Sequence, residues 1–556
     1  MRKALLFASC LSLAAGAALA AEPAAKSPQP ANPKTESSAN TSAPDKGLLF
    51  TPESSASEGL VSVEGQRIDY RAVAGTIVVH PKGWDDATAQ EPTGLSGKEE
   101  KSDADEDKNP KAEAAMFYVA YFKKGAPSAD RPVTFLYNGG PGSSTVWLHM
   151  GAFGPRRVAT RDDSHTPAAP YSLIDNAYSL LDVSDLVFID APGTGFSRIA
   201  GKDKEKAFYG VDADAYAFGE FILGFLSKYG RWNSPKYLFG ESYGTPRSAV
   251  LVNALETGHD VDFNGVILLS QILNFDLSVD GPSFNPGTDE AYVTALPTYA
   301  ASAWYHNRLA GQRPPDLETF LREVEQFANG DYASALQAGS ELDTARRQAV
   351  AEKLAGYTGL PVAYVLKSDL RIDGGQFEKT LQNPEGLTTG RLDTRFSGPD
   401  IDPLSKESDY DPQSAAISSA YVSAFNDYVR KQLGFGEGKV YKPEIDAGKN
   451  WSFAHTPPGS DSPAEGILNV MPDLAYAMKY NPGLKVMVNG GYYDLATPFY
   501  EGWYEMHHMP IPANLRGNIE YHYYQSGHMV YAHEQSLKEL HDNVADFIRR
   551  TDNLAR

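Results

Sequence analysis

Cysteine is almost absent from this chain: its 556 residues contain one, Cys10. An internal disulfide is therefore excluded, and so is a site built from several thiolates. Long apolar runs are also missing. Beyond the first twenty residues no stretch approaches the about 18 consecutive apolar side chains that a membrane-spanning helix requires. Positive charge is in deficit, with 50 Lys and Arg against 71 Asp and Glu and a net charge of -21. Such a chain is a poor partner for nucleic acid or an anionic membrane, and its acidity is read first as a solubility device. Without disulfides the fold must rest on an apolar core, which a chain of this length supplies easily. No internal repeat interrupts that reading.

What is present begins with a start segment of export type. Arg2 and Lys3 precede an Ala- and Leu-rich stretch that ends in Ala18-Leu19-Ala20, a small-x-small pattern, so residues 1–20 read as a signal peptide. The alternative, acylation of Cys10, has only Phe7-Ala8-Ser9 before it and almost no apolar stretch, which makes a poor lipid-attachment box. Cleavage after Ala20 would remove two positive charges from the net of -21 and leave -23. The expectation is an exported protein, periplasmic or extracellular, with no stable membrane insertion. Residues 21–47, rich in Ala, Pro, Ser and Asn, should form a flexible linker. Residues 90–115, with Glu99, Glu100, Asp103, Asp105, Glu106 and Asp107, should form a solvated acidic loop.

That loop separates Gln66 to His80 from Met116 to Lys123, two runs rich in β-branched and aromatic residues that predict an antiparallel pair. Five short apolar runs follow and predict buried strands: Val133–Tyr137, Leu186–Ile189, Tyr237–Phe239, Val266–Leu269 and Val486–Val488. Helical periodicity, as in Ala215–Lys228, lies between several of them. The alternation predicts an α/β fold with a mainly parallel central sheet. Between about 281 and 465 the pattern changes to helical segments such as Asp316–Phe327 and Asp343–Ala355. The expected organisation is a core from 48–280 and 466–556, interrupted by an inserted, largely helical cap at 281–465.

The chemistry-bearing residues are found at the ends of those strands. Gly240-Glu241-Ser242-Tyr243-Gly244 has the form G-x-S-x-G, with a strand signal before it and helix-forming residues from Ser248 to Leu255 after it. A serine on so sharp a strand-to-helix turn projects its hydroxyl above the sheet. A hydroxyl is a weak nucleophile and needs a base, itself oriented by an acid. In an α/β hydrolase the acid and then the base follow the serine in chain order. Asp494 lies in the loop after Val486–Val488, and His528 in the loop after a further strand signal at Ile519–Tyr524; His533 is the nearest competitor for the base. A third element is Asn138-Gly139-Gly140-Pro141-Gly142-Ser143-Ser144, directly after the first core strand. Its glycines would let backbone N–H groups approach an oxyanion. No lysine follows, which disfavours a phosphate loop.

Four segments together resemble the serine carboxypeptidase family (peptidase family S10), in the manner of an exported bacterial member: Asn138 to Ser144, Asp190-Ala191-Pro192-Gly193-Thr194-Gly195-Phe196-Ser197, Gly240 to Gly244, and Gly527-His528-Met529-Val530. The resemblance implies an α/β-hydrolase fold and Ser242 as nucleophile, His528 as general base and Asp494 as its orienting acid. It further implies an oxyanion hole from the N–H groups of Gly140 and Tyr243. Asn138, the Gly139 N–H and Glu241 would face the substrate's terminal carboxylate. The implied activity is release of C-terminal amino acids from peptides through an acyl-enzyme, with no metal and no organic cofactor. An esterase, acyltransferase or other serine peptidase on the same scaffold is the alternative, and a binding relic without catalysis the third reading.

Three departures stand out. Ser143 occupies a position where the family commonly has cysteine, so the disulfide that usually braces the loop is absent. Ala152 stands fourteen residues after Asn138, where the family's eukaryotic members have a glutamate paired with the one before the nucleophile. Arg156, Arg157 and Arg247 are then the candidates to receive the carboxylate instead.

Overall fold

The computed structural model describes residues 49–84 and 112–555. The signal-peptide, Cys10 and linker expectations, and most of the acidic loop, fall outside the described residues. Ten strands form one sheet: β1 (Ser54–Val63), β2 (Gln66–Val79), β3 (Ala112–Lys123), β4 (Val133–Tyr137), β5 (Asp185–Ile189), β6 (Arg198–Gly201), β7 (Lys236–Glu241), β8 (Gly265–Leu269), β9 (Lys485–Gly491) and β10 (Ile519–Tyr524). Their order is β1-β2-β3-β5-β4-β7-β8-β9-β10, with β6 pairing β3. From β5 to β10 every pairing is parallel. The pairings of β1 with β2 and of β3 with β2, β5 and β6 are antiparallel.

The central strands are buried on both faces, which explains why they read as continuous apolar runs. Along β4, Val133, Phe135 and Tyr137 face one hydrophobic cluster while Leu136 faces the other. Along β8, Val266 and Leu268 share the first of these faces, and Ile267 and Leu269 the second. Helices α1 (Val211–Tyr229) and α2 (Gly244–His259) join the cluster of Phe135, and α7 (Met471–Tyr480) adds Leu474 and Met478 to it. Helix α8 (Phe499–His507) follows β9, and the last helix, α9 (Glu534–Thr551), covers the opposite face with Leu537, Leu540, Val544 and Ile548.

Between β8 and β9 the chain forms α3 (Glu290–Tyr305), α4 (Leu317–Phe327), α5 (Thr344–Thr358) and α6 (Pro412–Lys431). Asp316 and Asp343 cap α4 and α5 by accepting from the N–H groups of Thr319 and Arg346, which fixes where those helices begin. The first three build a third hydrophobic cluster around Leu296, Leu321, Val324 and Leu354, to which Tyr492, Tyr493 and Leu495 also contribute. Helix α6 behaves differently: Ile417, Tyr421 and Phe425 pack into the same cluster as β7 and α9.

One boundary differs from the sequence expectation. Strand β3 begins at Ala112, so Ala112–Ala115 are strand rather than loop. Their residues pair with β6 and, from Ala114, with β2, and burial of small alanines between two neighbours suffices where no large side chain signals a strand.

Candidate active site

Ser242 stands on the turn between β7 and α2 with φ 59°, one of few non-glycine residues in the left-handed region. Such a conformation is strained for a side-chain-bearing residue and persists only where the surroundings impose it. Here the Ser242 N–H donates to the carbonyl of Leu269 on β8, and the Ser242 carbonyl accepts from Thr245. The turn is tight enough that a Cβ on Gly240 would lie 2.2 Å from the Gly244 carbonyl oxygen, which accounts for the glycine two residues before the serine. Ser242 itself is half-buried, while Glu241 and Tyr243 on either side are buried.

Asp494 follows β9 and is fully buried. Its carboxylate accepts from the N–H groups of Ala496 and Thr497 and from the Thr497 hydroxyl at 2.7 Å. The other side of that carboxylate faces His528, whose Nδ1 lies 2.8 Å from Asp494 Oδ2. Burial opposes charge on His528, but the neighbouring Asp494, and to a smaller extent Glu241, outweigh it and hold the imidazole above its ordinary value. Thr497 also reaches His528 Nδ1, at 3.2 Å, and Ser270 donates to the His528 carbonyl at 2.7 Å. The sequence reading missed both residues. Among the described residues Ser242 Oγ forms no hydrogen bond to His528, and such contacts commonly tighten only when substrate arrives. His533, the competitor, lies at the start of α9 with Nδ1 2.8 Å from Ser536 Oγ and Nε2 3.4 Å from Asp162, away from this pair.

A segment from the helical region ties the acid and base loops together. The Thr394 N–H donates to the Tyr493 carbonyl, Leu495 to the Arg391 carbonyl, and His528 to the Leu392 carbonyl at 2.6 Å. Asp393, paired with Arg395, accepts from the Gly527 N–H. Nothing in residues 391–395 has a local signature of a site. Only the fold brings them there.

The glycine loop after β4 lies against the serine turn. A Cβ on Gly139 would fall 2.3 Å from the Tyr243 nitrogen, so only glycine allows this approach. Among the described residues the amides of Gly139, Gly140 and Tyr243 donate to no protein acceptor, and Gly140 is exposed. These three N–H groups lie in two adjoining segments beside the serine, where an oxyanion or a carboxylate could use them. The loop is braced without a disulfide: Ser143 bridges Glu444, Ser144 donates to the Pro443 carbonyl, and Ile445 to the Gly142 carbonyl. Asp190, buried and pushed up to about 7 by desolvation, accepts from the Thr145 and Phe196 N–H groups and so joins the loop to the Asp190–Ser197 segment.

Glu241 has surroundings that the sequence reading did not foresee. It is buried, and both of its oxygens accept from the Tyr531 hydroxyl, at 3.0 and 2.9 Å. The Asn138 side chain reaches both Glu241 and Tyr531. Desolvation pushes the Glu241 carboxyl up to about 7, against the opposing influence of His528, Tyr531 and Asn138. Burial therefore compensates for the partner missing at Ala152.

The arginines proposed as carboxylate receptors are engaged elsewhere. Arg156 pairs with Asp175, and Arg157 with Glu534 at 2.5 Å. Arg247 is fully buried, with its Nε 2.5 Å from Asp214 and its Nη1 donating to the Asn138 carbonyl at 2.8 Å. It supports the glycine loop from below and cannot reach a ligand above it. That expectation is corrected: neighbouring carboxylates claimed these cations.

The family model described as "Serine carboxypeptidase" matches residues 106–321, which include the glycine loop and Ser242 but neither Asp494 nor His528. "Serine carboxypeptidase-like 36" of Arabidopsis thaliana is 27% identical over 177 residues, covering 30% of this chain and 34% of that protein. "Carboxypeptidase Y homolog" of Arthroderma benhamiae is 25% identical over 179 residues, covering 31% of this chain and 33% of that one. The chain thus spans about a third of the length of the curated relatives it matches. A solved proline iminopeptidase of Mycobacterium smegmatis covers 89% of this chain and 99% of its own, at 12% identity and a TM-score of 0.31, too slight a likeness to carry weight. The α/β-hydrolase assignment stands on the chain's own sheet, with its serine turn, acid loop and histidine loop after three of the parallel strands. The glycine loop, the Asp190–Ser197 segment and the serine turn all lie inside the matched region, and over that region the chain is similar to the serine carboxypeptidase family.

Proposed function

We propose that this protein is a serine-type carboxypeptidase that removes C-terminal residues from peptides through an acyl-enzyme. In this reading Ser242 Oγ attacks the last peptide carbonyl while His528 Nε2 takes its proton and Asp494 keeps the imidazole oriented and compensates its charge. The tetrahedral oxyanion is held by the N–H groups of Gly140 and Tyr243. His528 then gives the proton to the departing amino group, and a water, activated by the same imidazole, releases the acyl part. We place the substrate's terminal carboxylate against Asn138, the Gly139 N–H and Glu241, and we read residues 281–465 as the segment that shapes the cleft above them. Export, to periplasm or medium, belongs to the same proposal. So does the absence of any metal or organic cofactor from the cycle.

The observation that carries this reading is the adjacency of two polar groupings. A strained serine turn beside a buried His–Asp pair serves acyl transfer in general. Asn138, Gly139 and Glu241 lie directly against that turn and offer donors where an esterase would need none. A carboxylate leaving water needs such donors to replace its hydration.

The test compares substrates that differ only at the C-terminus. A free-acid peptide is expected to be cleaved at its last bond far faster than its C-terminal amide or a peptide extended beyond that bond. Asn138→Ala is expected to lower kcat/KM for the free acid about ten- to a hundredfold, since charge-assisted hydrogen bonds are worth roughly 1.5–3 kcal/mol. It should alter turnover of a small neutral ester much less. Equal losses on both substrates would restrict Asn138 to shaping the loop. Cleavage of amide and acid at equal rates would favour an esterase, an acyltransferase or an endopeptidase.

A further inference from the structure

The carboxypeptidase reading leaves open how Glu241, itself a carboxyl, is held to face the substrate's carboxylate. It is a buried carboxyl next to the nucleophile, paired with no Lys or Arg among the described residues, and Ala152 stands where the resemblance implies a second acid. The groups that face it are His528 and Asp494 from the loops after β10 and β9, Tyr531 from the turn after His528, and Tyr421 from α6. Of these, Tyr531 alone donates to both carboxylate oxygens. The sequence has made room for it. Gly151 lies on the helical turn Leu148–Phe153, and a Cβ there would come within 2.7 Å of both the Tyr531 ring and the Tyr421 ring. Ala152 beside it is the smallest side chain, fully buried.

We infer that Tyr531 is the positioning residue of the carboxylate subsite, its phenol holding Glu241 in place as a proton-dependent receptor for the substrate's C-terminus. The inference rests on the carboxypeptidase reading and adds to it the residue that sets the pH range of recognition. Protonated Glu241 has an O–H to donate to an incoming carboxylate, whereas ionised Glu241 repels it. A shared proton between two acids would be the usual solution to this repulsion. A phenol differs in one respect: it donates in every state of Glu241 below its own ionisation, and burial with the neighbouring carboxyl pushes that ionisation upward. Tyr531 therefore favours the ionised form of Glu241 and limits how far burial can raise it.

The sign of the effect follows. With Glu241 near 7, KM for a free-acid peptide should be low below neutrality and rise above it. Removing the phenol removes a donor to the ionised form, so the rise should move to higher pH. Tyr531→Phe keeps the ring that fills the space beside Gly151, and Glu241→Gln removes the titration altogether. The expected result is threefold. In Tyr531→Phe the KM limb for a free-acid peptide shifts upward in pH, while the KM of a neutral ester stays where it is. In Glu241→Gln the KM limb flattens. In Gly151→Ala, which displaces the ring without touching its chemistry, the limb moves in the same direction as in Tyr531→Phe. An unshifted limb in Tyr531→Phe, in a wild type that does prefer free acids, overturns the inference and leaves the carboxypeptidase reading intact. A wild type indifferent to the C-terminal carboxylate overturns both. A shift that appears equally with the ester assigns Tyr531 to the general fold of the site and also overturns the inference.

Discussion

Ser242→Ala and His528→Ala are each expected to lower kcat by roughly 10³- to 10⁶-fold, because nucleophile and base act as a unit and losing either removes the covalent route. The thermal midpoint should hardly move in the serine variant. Alanine at 242 inherits the same backbone strain at φ 59°, and the serine hydroxyl forms no hydrogen bond among the described residues that its loss would break. Asp494→Asn should cost about as much or somewhat less. The Ala496 and Thr497 N–H groups that donate to the carboxylate can still meet an amide oxygen, but the amide nitrogen would then face the imidazole and impose the wrong tautomer. Thr497→Val, which removes one donor to Asp494, should have a smaller effect of about tenfold. Steady-state kinetics on a neutral ester, with a fluorophosphonate label to count reactive serines, check the series. Near-normal turnover in His528→Ala would end the assignment, and His533 would then have to be tested in spite of its distance from Asp494.

The same pair predicts the pH course of kcat. His528 must be neutral to accept the serine proton, and Asp494 and Glu241 hold it above its ordinary value. Turnover should therefore fall on acidification from a higher pH than an isolated imidazole would give. Together with the rise of KM above about 7 expected from Glu241, kcat/KM on free-acid peptides should be bell-shaped, and kcat/KM on a neutral ester should keep only the acid limb. The two limbs are not independent, because each of the two groups shifts the other.

Much of the candidate site could be read from local pattern, because an α/β hydrolase places its reactive groups just after strands whose apolar runs are conspicuous. The five core strands, the helix at Val211–Tyr229 and the loops of Asp494 and His528 all fall where periodicity and turn residues placed them. Strand β1 escaped notice for a physical reason. Its sequence SSASEGLVSV carries few large apolar side chains, since an edge strand with one exposed face needs little burial. The contacts that complete the site escaped for another. Tyr531 and Glu241 are 290 positions apart, and the 391–395 segment reaches the histidine loop from more than a hundred residues away. No window of sequence carries such information. The arginines show the converse error: a cation near a motif looks available until the fold reveals which carboxylate already holds it.

Arg247 supplies the remaining large effect. Its guanidinium is wholly buried, shares a bidentate contact with Asp214 on α1 and stacks 4.4 Å from the Phe218 ring centre. Removing one member of a buried pair leaves the other charge uncompensated, which costs about 3–5 kcal/mol. Arg247→Met keeps much of the volume and should lower unfolding stability by that amount, measured as a shift of the urea midpoint at constant slope. The loss should depend on pH in a defined direction. Burial already raises the Asp214 carboxyl, and Arg247 is what pulls it back down. In the variant the folded-state value rises further above the unfolded one of about 3.9, so the folded protein binds the extra proton in between. Stability of Arg247→Met should therefore fall, relative to wild type, as pH rises above the already raised Asp214 value of the wild type, and the deficit should be smallest in acid. Arg247→Met with Asp214→Leu, which removes both charges, should regain most of the loss, since a buried ion pair replaced by apolar groups is often close to neutral. Activity should not return with stability. The Asn138 carbonyl loses its donor in both variants, so the loop that carries Gly139 and Gly140 is no longer held from below. A double variant that is stable but retains full peptide turnover would mean that Arg247 braces the fold alone, and a single variant that loses less than about 1 kcal/mol would mean that water reaches Asp214.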